Sequence, residues 1–172
     1  MEGKMETNVN IDIFTEEYID RAESIFLHPS PRYSWNEIVT GVHVKSHKGK
    51  IRTLSAVDKN TFRGFYRLDK SQPGAKMVFV NFFVSQRDII LDKLMSVRTR
   101  NDLHLLCNKL KEEIHSKLTN CDPDQLNSYN KIRKPVDLYL EHLIGMAREL
   151  DGARKRLIPL LFLPLDNQNY RL

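Results

Sequence analysis

The sequence predicts an α+β fold: an N-terminal helix, an antiparallel β-meander of three or four strands, and a helical C-terminal half packed on the sheet. Three observations predict it. Apolar residues recur at helical spacing near the N-terminus and again beyond about residue 100. Between these regions, β-prone runs near 50–57, 61–68 and 76–84 alternate with turn-rich stretches at nearly even intervals. The chain of 172 residues, 41% apolar and 28% charged, suits one domain with its own core. Residues 13–172 are therefore expected to form a single domain behind a flexible segment at 1–12.

The elements follow in order. Phe14, Tyr18, Ala22 and Ile25 mark the first helix, with Thr15 as its cap and Glu16, Glu17 and Asp20 where the helix dipole favours acids. Pro29 and Pro31 end it. Ser34 and Glu37 form a capping-box pattern ahead of Trp35, Ile38 and Val39. A strand near 41–46 then enters a hairpin turn at His47-Lys48-Gly49. Met77 to Val84 is apolar on both faces and reads as the central strand of the sheet. The stretch 55–68 fits either a helix or a strand.

The second half is helical. Ser85 with Asp88 makes a capping-box pattern, and Asn101 is placed to cap a longer helix carrying the stripe Leu103, Leu106, Cys107, Leu110, Ile114 and Leu118. Pro135 suits the first turn of a third helix, whose core face is Val136, Tyr139, Leu140, Leu143, Ala147 and Leu150. Leu157 to Leu165 carries Pro159 and Pro164, which fits an edge strand or a strap.

Charge gives the functional expectation. The net charge of +5 is uneven: residues 41–76 hold nine Lys and Arg against two Asp, while residues 1–40 hold three against eight acids. No acidic residue lies between Glu37 and Asp58. Lys45, Lys48, Lys50, Arg52, Lys59, Arg63 and Arg67 are the candidate binding residues. Uncompensated cations repel one another in a compact chain, and phosphate is the partner that relieves them with release of counterions. Aromatics interleave with the cations in Phe62-Arg63-Gly64-Phe65-Tyr66-Arg67. The expected function is nucleic-acid binding, to DNA or RNA, through this stretch.

Two further readings stand beside it. The apolar run 157–165 could serve a protein partner or a homo-oligomer if left uncovered. A metal-independent ribonuclease is the third. Ser55 to Tyr66 resembles the second helix of helix-turn-helix proteins over about a dozen residues, in its small–apolar–polar–Thr–aromatic order, although Lys48-Gly49-Lys50 interrupts the place of a first helix. The scattered Arg, Lys and Tyr on an antiparallel sheet are similar to the small bacterial ribonuclease toxins. That resemblance implies Arg52, Arg63, Tyr66 and Arg67 as groups able to stabilise a charged transition state.

No other chemistry reaches a motif. The seven glycines are dispersed, with no phosphate loop, nucleophile elbow or Cys-x-x-Cys pair. His43 and His47 share a face, but their neighbours are lysines that repel a cation. No catalytic residue, metal or cofactor is expected. Cys107 and Cys121 are expected as reduced thiols. The opening residues lack a signal-peptide pattern, and both long apolar runs fall short of the ~18 residues of a membrane span. No membrane association is expected, and the location implied is cytoplasmic, or nuclear in a eukaryote.

Overall fold

The structure is a computed structural model that describes residues 33–45, 49 and 51–162. Helix outweighs strand by 67% to 7%, so the expected α+β meander is not formed. The only β-structure among the described residues, apart from isolated bridges, is one antiparallel pair, β1 (Val42–Lys45) with β2 (Ile51–Leu54), in register Val42 to Leu54 and Lys45 to Ile51. The predicted helix at Phe14 to Ile25 and the segment 1–12 lie outside the described residues.

The largest correction concerns Met77 to Val84. These residues belong to helix α2 (Ala75–Ser85), which follows α1 (Trp35–Thr40) and the hairpin. The buried positions are Ala75, Phe79, Phe82 and Phe83, while Met77 and Val84 are exposed. That spacing is helical. An unbroken apolar run conceals it, because residues on the outer face are apolar too. Valine and phenylalanine disfavour helix by only tenths of a kcal/mol, roughly, and packing overrides such preferences. The predicted strand at 61–68 is likewise absent. A 3₁₀ turn at Lys59–Phe62 is capped by Asp58, whose carboxylate accepts from Asn60 N at 2.7 Å.

Five more α-helices follow among the described residues: α3 (Arg87–Ser96), α4 (Arg100–His115), α5 (Pro123–Leu126), α6 (Tyr129–Met146) and α7 (Asp151–Leu157). The α3 cap position is Gln86 rather than Ser85, whose hydroxyl instead donates to Phe82 O. Thr99, not Asn101, caps α4. Its hydroxyl accepts from Asp102 N at 3.1 Å, and the Asp102 carboxylate accepts from Thr99 N at 2.8 Å. Thr99→Ala is expected to lose about 1 kcal/mol of stability, read as a lower urea midpoint with an unchanged slope.

The core joins these helices through aromatic rings. Phe83 stacks on Tyr139 of α6 with centroids 4.6 Å apart, and Phe79 lies against the same ring at 6.3 Å. Trp35, fully buried, donates its indole N–H to Phe83 O at 2.8 Å and so fixes α1 on α2. Pro135 sits inside α6 rather than at its first turn. The run from Leu157 is helical instead of extended. It finishes α7 and continues as a 3₁₀ turn at Ile158–Leu160, with Leu157 buried and Ile158 to Phe162 half-buried apart from Pro159.

Candidate functional site

A cleft of about 680 Å³ opens where the 3₁₀ turn, the following loop and the start of α2 meet. Phe62, Phe65, Ala75, Met77 and Val80 supply its apolar surface, and Arg67, Lys76, Thr40 and Asn81 its polar groups. Among the described residues, no lining residue is acidic.

Local chemistry positions each wall. Phe62 and Phe65 pack edge-on against Phe79, with centroids 5.3 and 6.3 Å away, so the loop is anchored on the core. Between them Gly64 adopts φ +83°, a left-handed conformation that suits glycine. A side chain there would also meet the Lys131 ammonium, 2.6 Å from an added Cβ. Lys131 lies over the Phe65 ring at 5.1 Å, within cation–π range. The loop is tied to the segment after α4 by Leu68 N donating to Asn120 O at 3.0 Å and Asp122 N to Tyr66 O at 3.2 Å.

Arg67 crosses towards Gly74 and donates to the carbonyls of Lys70 and Gln72 at 3.2 and 3.3 Å. Asp69, the nearby acid, is turned to its own loop. Its carboxylate accepts from the Ser71 hydroxyl and amide at 2.7 and 2.8 Å, which holds its pKa below the usual carboxylate value. Lys76 donates to the Ser55 hydroxyl at 3.2 Å. Among the described residues, no salt bridge joins Lys59, Arg63, Arg67, Lys70, Lys76 or Lys131 to a carboxylate. The N-cap of α2 is Gly74, which has no side chain to occupy the helix start, and Gly74, Ala75 and Lys76 all face the cleft.

Of the predicted binding residues, Arg67 lines this cleft, while Lys59 and Arg63 are exposed at the two ends of the 3₁₀ turn that carries Phe62. Lys45 and Arg52 lie on β1 and β2, with side chains outside the described residues, as are Lys48 and Lys50. Lys76, Lys131 and Asn81 were not among the predicted residues. Lys76 falls within the basic stretch, but Lys131 arrives from α6, about 65 residues away in sequence, and no local pattern announces it. Comparison with known protein families, with characterised proteins and with solved structures finds no match to this chain.

The other readings find less geometry. The turn at 59–62 does not continue as a recognition helix, and among the described residues a single strand pair stands where the ribonuclease likeness needs a larger sheet. Tyr66 is 65% exposed on the loop. His43 Nδ1 lies 3.0 Å from the Thr53 hydroxyl across the hairpin. Among the described residues no three His, Cys, Asp or Glu side chains gather as a metal site, and no helix is long and apolar enough to cross a membrane.

A second polar cluster is internal. Arg133 of α6 donates from Nε to Asp137 at 2.7 Å, and one of its terminal nitrogens donates to Asn108 Oδ1 and Tyr129 Oη at 2.7 and 2.8 Å. The guanidinium also lies 5.2 Å from the Phe162 ring centroid. Burial raises the Asp137 pKa against the pull of Arg133, and pushes the Cys107 thiol up to about 12. Both cysteines are free and buried. Such a thiol is protonated and unreactive near neutral pH. This cluster joins α4 to α6, and its groups bond chiefly to one another.

Proposed function

We propose that the protein binds nucleic acid through the basic surface around this cleft. The observation that carries the reading is a concave, partly aromatic surface lined by Arg67 and Lys76, with Lys131 over the ring of its Phe65 and no acidic residue among the described residues that line it. Such a surface draws phosphate by long-range attraction and by counterion release. Hydrogen bonds to the carbonyls of Lys70 and Gln72 orient Arg67 before a ligand arrives, which lowers the ordering cost of binding.

Fluorescence anisotropy with labelled DNA and RNA, titrated at low salt and again near physiological salt, tests this. Binding is expected to weaken steeply as salt rises. Arg63→Glu and Lys59→Glu together are expected to reduce affinity more than tenfold and to flatten the salt dependence by roughly one unit of log–log slope per lost phosphate contact, with circular dichroism unchanged. Retained affinity in that variant would remove the surface from the site. Absence of binding to every strand tested would end the reading.

A further inference from the structure

We infer that the cleft receives an unpaired nucleotide, its base against Phe62 and its phosphate between Arg67 and Lys76, so that single strands are preferred over duplex. This rests on the nucleic-acid reading and narrows it.

The shape argues first. Reading a duplex requires an element that protrudes into a groove, usually a helix or a two-stranded ribbon. Here Arg67 and Lys76 line a hollow of about 680 Å³. That size lies in the roughly 300–1,000 Å³ range of small-molecule sites, suited to a group splayed out of a strand rather than to a cylinder laid across it. An unpaired strand can turn a base into such a hollow while its backbone remains on the cationic rim.

The lining is divided as that ligand requires. Phe62 is half-buried, held edge-on by Phe79, and borders the cleft as an aromatic surface already fixed in position. Arg67, Lys76 and the glycine-capped start of α2 make the opposite chemistry, suited to phosphate. Asn81, one turn and a half along α2, brings a carboxamide with no hydrogen-bond partner among the described residues. A carboxamide both donates and accepts, which matches the edge of a base rather than a phosphate.

The test uses the full-length chain and three labelled probes of one sequence: a single strand, the corresponding duplex, and a strand with abasic sites that keeps every phosphate. The intact strand is expected to bind about tenfold tighter than the abasic strand and the duplex, the range seen for a stacked base. Asn81→Ala, at an exposed position, is expected to narrow the gap between intact and abasic strands. Arg67→Gln is expected to weaken both equally. Equal binding of all three probes by the unaltered protein overturns the inference and leaves the basic-surface reading intact. Failure to bind any probe removes that reading instead. Because Phe62 also packs on the core, Phe62→Leu with a matched thermal midpoint serves as the stacking variant, and an unchanged preference in it would exclude the ring.

Discussion

Replacing Arg154 with methionine is expected to destabilise the protein by about 3–5 kcal/mol, the range for breaking a buried charged network. Arg154 is 2% exposed, an extreme position for a cation. Its guanidinium is spent on the end of α6. Nε donates to Ile144 O at 2.8 Å, one terminal nitrogen donates to Ala147 O at 2.5 Å, and the other is paired with Asp151. The last carbonyls of a helix have no partner within it, and Arg154 supplies that partner from the next helix. Methionine fills similar space but donates nothing, so two buried carbonyls lose their hydrogen bonds, at roughly 1–3 kcal/mol each. Arg154→Lys should recover only part of this, because one ammonium cannot reproduce a planar fork aimed at two carbonyls. Urea denaturation of the three proteins measures the effect. A loss below about 1 kcal/mol for Arg154→Met, in an otherwise two-state transition, would show that water satisfies those carbonyls.

The sequence makes some of this fold plain and hides the rest for identifiable reasons. Ser34 and Glu37 are legible as a capping box, because the motif is local and both of its hydrogen bonds form. The stripe from Leu103 to Ile114 is legible because polar residues separate its apolar positions, and its members are buried. The hairpin is legible near 42–54 from alternation and Gly49, whose φ is +73°. Helix α2 is not, since Met77 and Val84 are exposed yet apolar, which erases the contrast on which periodicity depends. At 61–68 the aromatics suggested a strand, whereas Phe62 and Phe65 turn inward and Tyr66 and Leu68 remain exposed around a left-handed glycine. Of the candidate site, the local charge points to Arg67, which lines the cleft, and to Lys59 and Arg63 at the ends of the adjoining 3₁₀ turn. Lys131 depends on how α6 is laid against that loop, and Asn81 on α2 being a helix, so neither could be read before the fold. Arg133 and Arg154 look like surface cations in sequence. Their burial follows from partners that only packing supplies.

The buried pair Arg133 and Asp137 makes the second large effect, and its sign with pH is opposite to that of an ordinary salt-bridged carboxylate. Burial holds the Asp137 pKa above its usual value, and the Arg133 ion pair, the Cys107 thiol and His104 oppose that rise. In Arg133→Met the strongest opposing group is gone, so the carboxyl rises further. A carboxyl whose folded pKa exceeds its unfolded value of about 3.9 binds its proton more tightly when folded. The resulting penalty is absent below the unfolded pKa and grows as pH increases through the folded one. At about pH 7 the variant is therefore expected to lose roughly 3–5 kcal/mol, because a buried carboxylate is left without its cation. Towards about pH 4 the deficit relative to the unaltered protein should shrink as Asp137 takes up a proton. Adding Asp137→Asn to the variant should recover much of the loss at neutral pH, since a neutral amide has no charge to bury. Denaturation midpoints at the two pH values measure all of this. A deficit that does not change with pH would place the cost of losing Arg133 in its contacts with Tyr129, Asn108 and Phe162 rather than in the charge of Asp137.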